Sequence, residues 1–231
     1  MHIGLIGGIG PAATAFYYQR IVRLFAAASA SASLRLTIAH TDISFLAENM
    51  KNSDKRRQAE EYLRVTAQLA AAGADRVAIT SLGGSFCANE FAQLTPLPMV
   101  DAPGAVAAHC RALGLTRVGL LGTTAVMGSR LYGTLDGVCE SLTPGDDSAD
   151  AAEAAHADYA AVAMRGSASE AEKGRLFAAA QRLCDRGAQT VLLGGTDLSL
   201  AFDGTEPVPV LDCAEIHVQA IVKEALATLS Q

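Results

Sequence analysis

The feature that most constrains the fold of this chain is a pattern of residues that occurs twice. The segment GLIGG begins at Gly4 and the segment GLLGT at Gly119, which gives an offset of 115 residues. The segment GAD at Gly73 and its partner GAQ at Gly187 are 114 residues apart. Two matches at nearly one spacing, in a chain of 231 residues, indicate an internal duplication.

A third pair of segments extends the duplication: PMVDAPGAVAAH from Pro98 and PVLDCAEIHVQA from Pro209 are offset by 111 residues. Within the first copy, apolar runs such as IGLIGG and RVAITSLGG alternate with longer segments at helical spacing, PAATAFYYQRIVRLFAAA and DKRRQAEEYLRVTAQLAAAG. The second half repeats this order. The alternation predicts βαβ units around mostly parallel sheets, so we expect an α/β protein of two pseudo-symmetric lobes.

Four loops at the predicted carboxyl ends of strands share one composition, rich in Gly, Ser and Thr. They span residues 7–11, 81–85, 122–129 and 194–197. In parallel sheets such loops carry ligands, and we expect the site in the cleft between the two lobes. Glycine lets backbone N–H groups approach a ligand closely and hydroxyls add donors, which favours an anionic small molecule. Glycine that merely permits a tight turn is the alternative for any single loop.

Charge and hydropathy exclude several classes of partner. The formal net charge of -6 argues against nucleic acid or an anionic membrane surface. No apolar run reaches the roughly 18 residues that span a bilayer, and no secretory signal pattern opens the chain, so we predict a soluble cytoplasmic protein. The five cysteines are odd in number, widely spaced and without a C-x-x-C motif. This pattern predicts neither a disulfide framework nor a metal site.

Four segments together resemble the marker segments of the cofactor-independent aspartate/glutamate racemase family. They are GLIGGIGPAAT from Gly4, GLLGTTAVMGSRLY from Gly119, GA-x₄-LLGGTD from Gly187 and VLDCAEIH from Val210. The resemblance covers nearly the whole chain, in order. It implies an isomerase of the amino-acid racemase type that needs no pyridoxal phosphate or other cofactor. It also implies a homodimer whose lobes are residues 1–101 with 211–231 and residues 102–210.

The family's chemistry removes a proton from a carbon next to a carboxylate with one cysteine and supplies another proton from a second cysteine. The family motif C-N-T-A-H corresponds here to residues 81–85, SLGGS, and the motif G-C-T-E to residues 194–197, GGTD. By this resemblance Ser81 and Gly195 replace both thiols. An unassisted hydroxyl is many pKa units from a usable base and glycine has no side chain, so the usual two-thiol racemisation cannot be carried over.

We select Ser81, Asp197 and Gly195 as the catalytic positions. Asp197 either transfers protons with a pKa raised by partial burial, or caps the next helix. His217 matches the family's histidine in the last segment and is either a ligand contact or structural. The residues expected to contact the substrate are Gly8, Gly10, Asp42, Leu82, Gly83, Gly84, Ser85, Thr123, Thr124, Thr196 and His217.

The cysteines offer a further alternative. Cys87, which we place on the first turn of a helix, and Cys213 either substitute for a missing thiol or are small buried residues. The remaining three, Cys110, Cys139 and Cys184, fall in predicted helices and give no site signal.

The leading functional hypothesis is an enzyme that acts on a small 2-substituted carboxylate, such as an acidic amino acid, through Ser81, Asp197 or ordered water. A related lyase, decarboxylase or isomerase is a close alternative, and a non-catalytic small-acid binder is another. A third is an NAD(P)-binding oxidoreductase, because residues 8–13 fit G-x-G-x-x-A after a strand, with Asp42 after the next. The 34 residues from Gly8 to Asp42 exceed the usual fingerprint spacing, which weakens this alternative.

Overall fold

The computed structural model describes residues 1–29 and 33–227. The chain divides into two compact units. Unit 1 consists of Met1–Ala105 with His217–Gln231, and unit 2 consists of Val106–Ile216.

Each unit alternates strands with helices along the chain, as the sequence pattern predicts. The strands are β1 (His2–Gly7), β2 (Arg35–His40), β3 (Arg76–Ile79), β4 (Arg117–Gly122), β5 (Glu140–Leu142), β6 (Val191–Gly194) and β7 (Val210–Asp212). The helices are α1 (Pro11–Ala28), α2 (Ile43–Lys51), α3 (Lys55–Ala71), α4 (Ala88–Leu94), α5 (Ala102–Ala112), α6 (Thr124–Gly128), α7 (Ala149–Arg165), α8 (Glu170–Asp185) and α9 (Cys213–Ala227). Short 3₁₀ turns cover Gly83–Cys87, Pro144–Asp146 and Thr196–Leu200.

Both sheets are parallel, and they have the same order. The sheet of unit 1 runs β2-β1-β3 and that of unit 2 runs β5-β4-β6-β7. Every residue of the central strand β1 is buried, which is typical of a parallel sheet covered by helices on both faces. The prediction of an α/β fold with mostly parallel sheets is therefore confirmed.

The strand pairing of the two units reproduces the offsets seen in the sequence. Val77 of β3 pairs with β1 on one side and forms a single parallel bridge to Met99 on the other. Val191 of β6 lies in the same way between β4 and β7, where its partner is Val210. Met99 and Val210 are 111 residues apart, the offset of the third repeated segment. The repeated segments thus form equivalent parts of two similar sheets.

Two predictions about local structure were incomplete or wrong. Helix α2 was not predicted, because its nine residues lie between a strand and a longer, clearly periodic helix. Cys139 is not helical: it directly precedes β5, after a run of turns. Gly133 and Gly137 in that run have positive φ values of 77° and 72°, which a right-handed helix does not accommodate.

Within residues 1–29 and 33–227, no helix has the length and apolar character needed to cross a membrane. The same residues contain no cluster of three or more His, Cys, Asp or Glu side chains suited to a metal ion.

Candidate active site

In unit 1, the loops that follow β1, β2 and β3 lie side by side at the carboxyl edge of the sheet. Gly8 has a φ of +90°, and a side chain there would meet the Thr41 carbonyl oxygen at 2.3 Å, so only glycine fits. The Gly8 N–H donates to the Thr14 hydroxyl (2.9 Å), which lies 3.0 Å from the Thr80 hydroxyl at the end of β3. Gly10 stands at the start of α1 and is partly exposed. The structure thus brings the predicted glycines of the first loop beside the loop that carries Ser81.

The loop after β3 turns directly into a 3₁₀ helix, and Ser81 organises that turn. The Ser81 Oγ accepts a hydrogen bond from the Gly84 N–H (3.0 Å), and the Ser85 hydroxyl donates to the Ser81 carbonyl oxygen (3.0 Å). Gly84 packs so closely that a Cβ atom there would lie 2.7 Å from the Tyr62 Oη. The Ser81 side chain therefore keeps a hydroxyl proton for a ligand, while its oxygen helps to hold the loop.

The five residues 81–85 differ in what they can offer a ligand. Ser81 and Gly83 are partly exposed. Leu82 is 1% exposed and Ser85 is 2% exposed, so both side chains lie in the interior of unit 1. Leu82 and Ser85 were expected to contact the substrate, and burial leaves their side chains no surface with which to do so.

Asp42 begins α2 and acts as its N-cap. Its Oδ1 accepts a hydrogen bond from the Ser44 N–H at 2.7 Å. This bond, made to the ionised carboxylate, lowers the pKa of Asp42. The exposed carboxylate of Asp42 therefore has a structural role as the cap of α2.

His217 is completely buried in unit 1, on α9. Its Nε2 lies 2.8 Å from the Val100 carbonyl oxygen, so this nitrogen carries the proton and donates. Its Nδ1 lies 2.9 Å from the Tyr17 Oη and accepts from that hydroxyl. Burial lowers the pKa of His217 to about 4, which keeps the ring neutral. Both nitrogens are used by protein groups, and these contacts support the structural alternative for His217.

In unit 2, the loops after β4 and β6 are likewise neighbours. A Cβ atom on Gly122, the last residue of β4, would lie 2.9 Å from the Gly194 carbonyl oxygen at the end of β6. Thr123 caps α6 by accepting a hydrogen bond from the Val126 N–H (3.1 Å). Thr124 follows as the first residue of α6 and is partly exposed. The structure therefore brings these two threonines beside the segment 194–197.

At Gly195, where the resemblance places the second thiol, a side chain would overlap the present position of a tyrosine ring. A Cβ atom there would lie 2.5 Å from Cε2, 2.7 Å from Cζ and 3.0 Å from Oη of Tyr159, on α7. Thr196 beside it is buried, and its carbonyl oxygen accepts from the Ser199 hydroxyl (3.0 Å). The ring of Tyr159 thus fills the space that a residue-195 side chain would occupy.

Asp197 is a partly buried carboxyl in the 3₁₀ turn that follows Gly195. Burial raises its pKa, because the charged form loses hydration. In the described part of the chain no Lys or Arg forms an ion pair with it. Burial also raises the pKa of the nearby Tyr159, and the negative charge of Asp197 raises it further. Asp197 and Tyr159 are therefore close enough for the charge of one to affect the other, and the sequence analysis had found only the acid.

The buried cysteines do not offer a replacement thiolate. Burial raises the pKa of Cys87 to about 12, and Cys87 ends the 3₁₀ turn before α4 rather than lying in the first turn of a helix. Cys213 is fully buried at the start of α9, and its pKa is raised well above the usual value. A thiol acts as a base only as its thiolate, so burial makes both residues inert.

Tyr159 escaped the sequence analysis because no motif contains it. Its only signal is its place in an alanine-rich segment, at helical spacing with Ala155 and Val162. That spacing indicates a residue on the buried face of a helix and says nothing about which loop it faces.

Comparisons with known proteins agree with this fold. The family model for Asp/Glu/Hydantoin racemase matches residues 6–221. A search of curated proteins gave no match.

A Yersinia pestis protein assigned provisionally to the Asp/Glu racemases has a TM-score of 0.86 at 24% identity, over 98% of this chain and 100% of that one. An aspartate racemase homologue from Pyrococcus horikoshii OT3 has a TM-score of 0.79 at 23% identity, over 97% and 99%. Glutamate racemase from Francisella tularensis, solved with D-glutamate, has a TM-score of 0.64 at 12% identity, over 99% and 81%. At these identities the likeness establishes the fold.

Proposed function

Because the chain belongs to the Asp/Glu/Hydantoin racemase family, we propose that it acts on a small 2-substituted carboxylate by moving the proton on the adjacent carbon. The observation that carries the proposal is the environment of the Asp197 carboxyl. It is a partly buried carboxyl with a raised pKa, in a loop otherwise made of Gly and Thr. Perturbed carboxyls of this kind are typical of proton-transfer sites.

The loops around the carboxyl edges support an anionic ligand. In unit 1, Gly10 caps the N-terminus of α1, and the Ser81 hydroxyl stands at the neighbouring loop, whereas the Gly8 N–H is already bonded to the Thr14 hydroxyl. In unit 2, Thr124 offers a partly exposed hydroxyl beside Asp197's loop. Backbone N–H groups and hydroxyls of this kind suit carboxylate oxygens. The D-glutamate bound to the Francisella enzyme makes an acidic amino acid our first choice of substrate.

In the proposed step the Asp197 carboxylate removes the proton from the substrate's α-carbon. The C–H bond breaks, its electrons form an enolate with the adjacent carboxyl group, and a new O–H bond forms on Asp197. The proton on Asp197 then exchanges with solvent, and a solvent-derived proton returns to the carbon as the O–H bond breaks, which completes the exchange. A carboxylate is a weaker base than a thiolate, so this site favours substrates whose α-carbon is made acidic by its substituents.

Membership of the family gives the chain a racemase-type fold. A cytoplasmic location, a homodimeric state and independence of any cofactor complete the proposal, and they rest on the sequence-level predictions. A lyase or decarboxylase would use the same loops on the same class of acid. A pure binder would hold the acid without moving its proton, and the NAD(P) alternative would show as saturable NAD(H) binding.

The test is proton exchange in deuterium oxide. Purified protein is incubated with L- and D-aspartate and L- and D-glutamate, and the α-proton signal is followed by NMR. We expect wild-type protein to replace the α-proton with deuterium faster than a protein-free blank. Asp197→Asn should slow the exchange about 100-fold or more. Ser81→Ala should slow it less, because its role is to bind.

Asp185→Asn is the matched control, because Asp185 is an exposed carboxyl of the same unit whose one hydrogen-bond partner within residues 1–29 and 33–227 is Gln181. This variant should exchange at the wild-type rate. Saturable binding of one of the acids with no α-deuterium would favour the binder. Loss of carbon dioxide from a substrate with a second carboxylate would favour the decarboxylase.

A further inference from the structure

Three tyrosines lie on the inner faces of helices, and they use their hydroxyls differently. Tyr17 donates to His217 at 2.9 Å, and Tyr62 donates to the Gly84 carbonyl oxygen at 3.1 Å. The Tyr159 hydroxyl has no hydrogen-bond partner among residues 1–29 and 33–227. Because partly buried tyrosine hydroxyls generally find a partner, this one is left for a group outside the chain.

A side chain at position 195 would overlap the ring of this tyrosine. Its backbone dihedrals, φ −148° and ψ 128°, are those of ordinary extended chain that any residue adopts. The three atoms nearest to the position of a Cβ atom there all belong to Tyr159, at 2.5 to 3.0 Å. The space that the resemblance assigns to a thiol is therefore occupied by a phenol from another element.

The position of Tyr159 is fixed by its helix. Tyr159 lies on the same face of α7 as the buried residues Ala155 and Val162. The preceding residue, Asp158, forms a bidentate ion pair with Arg175 of α8, with hydrogen bonds of 2.6 to 3.0 Å. These contacts hold the phenol in place beside Gly195.

We propose that the Tyr159 hydroxyl has replaced the second thiol and is the hydrogen-bond donor that unit 2 presents to the carboxylate of the ligand. This inference rests on the proposed function for the existence of an acidic ligand. Burial and the charge of Asp197 raise the pKa of Tyr159, so at neutral pH the phenol keeps its proton and donates. In this arrangement Asp197 is the base of unit 2. Tyr159 donates a hydrogen bond that stabilises the developing enolate, and it does not transfer a proton itself.

The donor role is tested by calorimetric titration of wild type and Tyr159→Phe with L- and D-aspartate and L- and D-glutamate. A hydrogen bond to a charged ligand predicts that Tyr159→Phe weakens binding about tenfold or more. Tyr18→Phe is the matched control, because Tyr18 is an exposed tyrosine of α1 in unit 1. It should bind like wild type. Equal affinity of wild type and Tyr159→Phe would overturn the donor role while the proposed function stands.

The claim that the Tyr159 ring occupies the place of the second thiol is tested without any ligand, by thermal melting. We expect Gly195→Ala to lower the melting temperature by about 5 °C, because the new methyl group overlaps the ring. In a Tyr159→Ala background the same change should cost almost nothing. Gly174→Ala is the control, because a Cβ atom at Gly174 of α8 meets nothing within 4 Å. It should melt at or above the wild-type temperature.

The two sets of results separate the proposals. If wild-type protein binds none of the four acids, the proposed function fails for them and the donor role fails with it, while the melting experiment still decides the replacement. If Gly195→Ala costs as much in the Tyr159→Ala background as in wild type, the replacement is wrong, whatever the protein binds.

Discussion

The two units treat their polar groups differently. In unit 1, His217 and Ser81 have their nitrogen and oxygen atoms bonded to protein groups. In unit 2, Asp197 has no ion pair and Tyr159 no hydrogen bond within the described residues. At the candidate site, the polar groups of unit 1 mainly hold the structure and leave the Ser81 hydroxyl proton for a ligand, whereas unit 2 offers the oxygen atoms of both Asp197 and Tyr159.

The same difference is visible at two tyrosine–glycine contacts. In unit 1, Tyr62 is fully buried and its hydroxyl is bonded to the Gly84 it covers. In unit 2, Tyr159 covers Gly195 with its ring but leaves its hydroxyl unbonded within the described residues. A tyrosine beside a loop glycine thus closes the loop in one unit and supplies a polar group in the other.

The largest effect we expect in this comparison is acid destabilisation through His217. The pKa of His217 is about 4 in the folded chain, below its usual 6.5, so the unfolded chain binds more protons between these values. The contribution of the neutral His217 to the free energy of unfolding is therefore fully present above pH 6.5, and it is lost as the pH falls from 6.5 to about 4. By pH 4 the loss should reach about 3 kcal/mol.

Urea unfolding of wild type and His217→Gln at pH 7 and pH 4.5 measures this effect. The variant should be less stable at pH 7, and its stability should depend less on pH. His40→Gln, which removes an exposed histidine of unit 1, should keep the wild-type pH dependence. A His217→Gln variant as sensitive to acid as wild type would show that His217 is not the neutral, buried group described above.

A smaller effect of opposite sign is expected at Asp197. Its pKa is raised in the folded chain, so the folded state binds more protons just above pH 3.8, and stability falls as the pH rises through that window. Asp197→Asn should therefore raise the melting temperature at pH 7 by only about 1–2 °C, because solvent screens a partly exposed carboxylate. The gain should disappear at pH 3.5. Gly195 is the N-cap of the turn and no side chain caps it, so the helix-cap alternative for Asp197 was wrong. A variant that melts below wild type at pH 7 would indicate another structural role for this carboxylate.

The sequence was sufficient for the fold because duplication and periodicity are properties of the whole chain. The segment PAATAFYYQRIVRLFAAA matches α1 residue for residue, and the three repeat offsets correspond to equivalent strands. These features depend on many residues at once, so single exceptions such as the missed α2 did not affect the result.

The site was only partly predictable, since the roles of single residues depend on contacts between distant elements. The loop motif drew attention to Gly195 and Asp197, but it could not reveal a phenol 36 residues earlier in the chain. Leu82 and Ser85 were expected to contact the substrate because they lie in the motif, yet the turn after β3 directs their side chains inward. A motif locates a loop, and packing decides which of its side chains remain available.

The most direct test of this account places a cysteine at each of the two thiol positions and compares melting temperatures. Ser81 already holds a side chain of similar size, so Ser81→Cys should melt within about 2 °C of wild type. Gly195→Cys places its Cβ atom against the ring of Tyr159 and should melt about 5 °C or more below wild type. If the two variants instead melt together, position 195 has room for a side chain, and the claim that Tyr159 occupies the place of the second thiol is contradicted.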